Sequence, residues 1–78
     1  LIAGEQYNLI LANINRNILL SDIPAYAQAL LPEGLLLVSG FYIEDLPAIQ
    51  ECAEAVGLRY ISHIERNRWV SAKFQCLS

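Results

Sequence analysis

The chain has 78 residues, 55% of them hydrophobic and 17% charged, with a net charge of −3. That length bounds one small domain or a piece of one, and the acidic balance excludes the clustered positive field that a nucleic-acid surface needs. A charged share below the ordinary ~25% leaves more apolar surface than so short a chain hides alone, so some of it belongs against another domain or subunit.

Tyr7-Asn8-Leu9-Ile10-Leu11-Ala12 is a nearly continuous apolar run, the pattern of a strand buried on both faces. Asn15-Arg16-Asn17 then offers side-chain oxygens for a helix N-cap, and Ile18 to Leu20 form a short helical turn. Ser21-Asp22-Ile23-Pro24 restarts the helix, with Ser21 or Asp22 as cap and Pro24 in the first turn. Ile23, Tyr26, Ala27, Leu30 and Leu31 recur at helical spacing, and Pro32-Glu33-Gly34 ends the element.

Leu35 to Gly40 is a second buried strand, followed by a Phe41-Tyr42-Ile43 loop. Glu44 and Asp45 put negative charge at the start of the next helix, whose apolar stripe is Leu46, Ile49, Ala53 and Val56. Cys52 lies beside that stripe, and Gly57 stops the helix. Leu58 to Ile64 and Trp69 to Cys76 are strands joined by Glu65-Arg66-Asn67-Arg68, an antiparallel hairpin with Val70, Ala72, Phe74 and Cys76 on one face. The order strand, helix, strand, helix, strand, strand predicts an α/β fold in which right-handed crossovers make the first two strands parallel.

The longest apolar runs, such as Leu35 to Val38, are far too short to span a bilayer. Cys52 and Cys76 lack Cys or His neighbours at ligand spacing, so they read as core thiols of a reducing compartment, with cytoplasm as the default. The start at Leu1-Ile2-Ala3, without Met or a basic lead-in, reads as an excerpt carrying no signal peptide.

Open parallel sheets bind ligands beyond the carboxyl ends of their strands. Two segments fall there: Asn13-Ile14-Asn15 and Ser39-Gly40-Phe41. Residue type alone leaves Asn13 open between a helix cap and a functional role. Trp69 reads as hairpin or core packing, His63 as an imidazole without catalytic partners, and Tyr42 as a loop residue able to line a groove. No Gly-x-Gly cluster follows a strand, so the chain itself holds no phosphate- or nucleotide-cradling turn of that type.

Ile10-Leu11-Ala12-Asn13-Ile14, Leu31-Pro32-Glu33-Gly34 and Leu36-Leu37-Val38-Ser39-Gly40 occur in an order and spacing that resemble the ribosomal protein L-eleven methyltransferase family. Its members show an Ala-Asn-Ile-Leu stretch, a Lys-Pro-Gly-Gly turn, a Leu-Ile-Leu-Ser-Gly strand end and a Trp near the last strand, matched here by Trp69. Asn15 and Glu33 depart from the family's usual Leu and Gly.

The resemblance implies the C-terminal half of a Rossmann-like class I methyltransferase domain. Residues 1–78 would be its fourth to seventh strands, without the N-terminal cofactor-binding half. It implies S-adenosylmethionine as methyl donor and a large-subunit ribosomal protein as the partner methylated on lysine or α-amino groups. Asn13 would be the catalytic, amine-positioning residue; Asn13 and Ile14 would touch the cofactor; Ser39, Gly40 and Tyr42 would line the substrate side. No metal is implied. The 78 residues alone are expected to be inactive and to form a homo-oligomer through the free edge of the first strand or the apolar surface beside it. The alternatives are a non-catalytic α/β association module and a methyltransferase for another substrate.

Overall fold

The computed structural model describes residues 6–13 and 15–77. In chain order they form β1 (Tyr7–Asn13), α1 (Arg16–Ala29), β2 (Leu30–Tyr42), a 3-10 turn (Ile43–Asp45), α2 (Leu46–Ala55), β3 (Leu58–Arg66) and β4 (Trp69–Cys76). The sheet order is β1-β2-β4-β3. β1 and β2 pair in parallel, whereas β4 is antiparallel to both β2 and β3. β3 therefore runs with β1 and β2, and only β4 is reversed.

The α/β order and the closing hairpin follow the sequence expectation, while several boundaries differ. α1 is one continuous helix, not a turn followed by a restart. Asn15 is its N-cap, and its Oδ1 accepts a 3.1 Å hydrogen bond from the Ile18 amide. Ser21 and Asp22 are thus interior residues, and Asp22 accepts from the Tyr26 hydroxyl one turn on, at 3.5 Å. Burial first, and then the Asp22 charge, push the Tyr26 hydroxyl above its ordinary pKa. Pro24 is inside the helix, where it cannot donate to the Leu20 carbonyl. The Cys52 thiol of α2 donates to that carbonyl at 3.6 Å.

The helix ends at Ala29, before the Pro32-Glu33-Gly34 stop, because Leu30 already pairs with Tyr7 of β1. Those three residues form an irregular step inside β2: the register passes from Tyr7↔Leu30 to Leu9↔Leu35, and Glu33 has φ 67°. A Cβ on buried Gly34 would lie 2.9 Å from the Leu31 carbonyl oxygen and 3.1 Å from that of Tyr7. Glycine lets the two backbones approach there.

Both helices cover one face of the sheet and touch each other. Ile10 and Ala12 of β1, Leu36 and Val38 of β2, and Val70, Ala72 and Phe74 of β4 meet Leu19, Ile23, Ile49 and Ala53 in one core. Each fully buried large side chain contributes about 1.5–3 kcal/mol. The other face is bare among the described residues: Leu9 is 48% exposed, Leu11 71% and Ile64 71%. β1 is therefore buried on one face only, against the two-sided burial its apolar run suggested. Val56 likewise falls beyond the buried stripe of α2.

Candidate functional site at the carboxyl ends of β1 and β2

β1 ends on Asn13, whose register partner in β2 is Ser39. Asn15 rather than Asn13 caps α1, so Asn13 is released from the capping role that its residue type also allowed. One residue past Ser39 the strand bulges. Ser39 pairs with Ser71 but Phe41 pairs with Val70, so Gly40 is the extra residue, and its φ is 92°. The bulge resets the side-chain alternation. Phe41 turns into the core at 1% exposure, and Tyr42 turns outward. Tyr42 is thus the last residue of β2, where the sequence suggested a loop.

Two adjoining cavities open at this end. The first, about 340 Å³, is lined by Asn13, Ser39, Gly40, Ile64, Arg66, Trp69, Val70 and Ser71. The second, about 370 Å³, is lined by Asn15, Asn17, Gly40, Phe41, Tyr42, Asp45 and Trp69. Asn13, Ser39 and Gly40 share the first cavity; Tyr42 lines the second, and Gly40 borders both. Ile14 lies outside the described residues.

Sequence reasoning missed the role of Trp69, which borders both cavities and is 49% exposed rather than packed in the core. The cause is strand order. β4 inserts between β2 and β3, so its first residue arrives beside the last residue of β2. Asn67 and Arg68 make the hairpin turn with φ 51° and 71°, the two positive angles of the tight type that suits twisted strands. The turn was expected to take four residues; pairing continues to Arg66↔Trp69 and leaves two.

Beside the second cavity, Arg68 grips Glu44 at 3.1 Å through Nε and 2.7 Å through a terminal nitrogen. The Arg68 hydrogen bond, aided by its charge, holds the Glu44 carboxyl below the ordinary carboxylate pKa; the same bond raises that of Arg68. His63 lines neither cavity and shares a 2.6 Å hydrogen bond with the Tyr60 hydroxyl. Among the described residues no group of three or more His, Cys, Asp or Glu could hold a metal. No described helix is long and apolar enough to cross a membrane.

The profile of the ribosomal protein L11 methyltransferase family matches residues 1–76. The chain belongs to that family. It is 48% identical over 75 residues to the ribosomal protein L11 methyltransferase of Phocaeicola vulgatus, covering 95% of this chain and 27% of the relative. It is 52% identical over 68 residues to that of Porphyromonas gingivalis, covering 87% and 23%. The chain thus spans about a quarter of the length of the curated relatives it matches.

The crystal structure of ribosomal protein L11 methylase from Lactobacillus delbrueckii subsp. bulgaricus superposes with a TM-score of 0.89 at 25% identity, over 97% of this chain and 40% of that one. The N-methyltransferase NodS of Bradyrhizobium japonicum shares the fold, with a TM-score of 0.73 at 11% identity over all of this chain and 55% of that one. The four-stranded α/β sheet is accordingly that of class I methyltransferases.

Proposed function

We propose that the chain is the fourth-to-seventh-strand part of a methyltransferase that transfers methyl groups from S-adenosylmethionine to lysine and α-amino groups of a ribosomal protein. The observation that carries this reading is the placement of Asn13 opposite Ser39, at the carboxyl ends of two parallel strands, with both residues on one cavity. Family membership supplies the reaction class.

The first cavity suits one wall of a cofactor cleft: its strand-end residues offer amide and hydroxyl groups beside the apolar Ile64, Trp69 and Val70. Asn13, with Ile14 next to it in sequence, would hold that side. The cofactor, when bound, supplies the electrophilic methyl group. The Asn13 carboxamide oxygen accepts a hydrogen bond from the target amine and orients its lone pair, which is catalysis by positioning. Ser39 and Gly40 shape the acceptor side directly, and Tyr42 does so from the neighbouring cavity. The 78 residues contain no Gly-x-Gly turn for the rest of the cofactor, which supports an inactive isolated chain.

The test is methylation of the purified ribosomal protein by the full-length parent, read by mass spectrometry. Asn13→Ala is expected to lower turnover about 100-fold, as misplacement of a reacting group does. Unchanged turnover would remove Asn13 from the mechanism. An unmodified ribosomal protein with wild-type enzyme would remove the substrate.

A further inference from the structure

We propose that Tyr42 is a positioning residue that fixes the Trp69 indole as the wall between the two cavities. This rests on the methyltransferase reading of the site. Tyr42 and Trp69 are register partners on β2 and β4, and their rings stack at 4.3 Å with 28° between planes. Both are about half exposed, 45% and 49%, so the core does little to hold either ring. Only Trp69 reaches the cavity that contains Asn13; Tyr42 borders the neighbouring one and therefore acts on the first through the indole.

An unrestrained Trp side chain has several staggered rotamers to choose from. The Tyr42 ring supports one of them along its face, since offset stacking favours a specific geometry as well as contact. Tyr42 is in turn backed by Arg68. The guanidinium carbon is 5.9 Å from the Tyr42 ring centroid, within cation–π reach, and the Glu44 carboxylate holds the guanidinium through two contacts. The Ile43 amide also donates to the Arg68 carbonyl at 2.8 Å, tying the end of β2 to the hairpin turn. An exposed ion pair alone holds little; the ring stack is the principal restraint, and the ion pair orients it.

The experiment uses the full-length parent labelled with 5-fluorotryptophan, the resonance lost in Trp69→Phe being that of Trp69. Tyr42→Ala is expected to shift or broaden this resonance and to raise KM for the ribosomal protein about two- to ten-fold, the scale of one lost aromatic pair, with kcat within about two-fold. Tyr42→Phe restores both readouts, because it keeps the ring and drops only the hydroxyl. Tyr42→Leu, which keeps bulk without a ring face, behaves as Tyr42→Ala and replaces it if the alanine variant does not fold. An unmoved fluorine resonance in these variants overturns the proposal, as does a released indole with unchanged KM. Failure of the wild-type parent to methylate the ribosomal protein overturns the functional reading, and the fluorine resonance then decides the stack by itself.

Discussion

Gly40 shows how one residue decides the geometry of a site. Its φ of 92° allows an extra residue in β2, which sends Phe41 into the core and Tyr42 to the cavity rim. A Cβ there meets the steric cost of positive φ, about 1–2 kcal/mol. Gly40→Ala is expected to lower stability by that amount in urea unfolding and to perturb Phe41 and Tyr42 together in NMR spectra. Retention of full stability would show that the bulge tolerates a side chain. The apolar run of Leu36 to Val38 made this strand legible in the sequence. The bulge was not, because a glycine at a strand end reads equally as an ordinary turn.

At the scale of elements, α1 carries an internal proline without breaking. The vacant Leu20 carbonyl is taken up by Cys52 of α2, so the two helices are joined at the point where the ladder is interrupted. An interior proline is about 3 kcal/mol less favourable than alanine, offset in part by its stiffer unfolded chain. Pro24→Ala should therefore raise stability by about 2 kcal/mol, measured by urea unfolding. A fall in stability would mean that the interruption at Pro24, with the Cys52 contact it allows, is required to hold α1 against α2. This arrangement defeated the sequence reading, which placed Pro24 in a first turn because local rules have no view of a thiol 32 positions away in sequence.

For the whole molecule, the dominant feature is a sheet covered on one side. Leu9, Leu11 and Ile64 stand on the bare face, and among the described residues β1 pairs only with β2. Apolar surface and an unpaired strand edge both favour association. The isolated 78-residue chain is expected to self-associate, with a mass by light scattering that rises with concentration. A strictly monomeric isolated chain at high concentration would sink the expected self-association.

The sequence by itself determined the order of element types, the closing hairpin and cap chemistry within Asn15-Arg16-Asn17, since these depend on hydrophobic period and on side chains within a turn of their partners. It also carried the family resemblance, through short segments kept in order. Only the tertiary structure decided that β4 lies between β2 and β3, that Trp69 therefore meets Tyr42, and that one face of β1 is left bare among the described residues. Each of those depends on which strand pairs with which, a choice made by contacts between residues far apart in the chain. A local pattern of apolar and polar residues does not encode it.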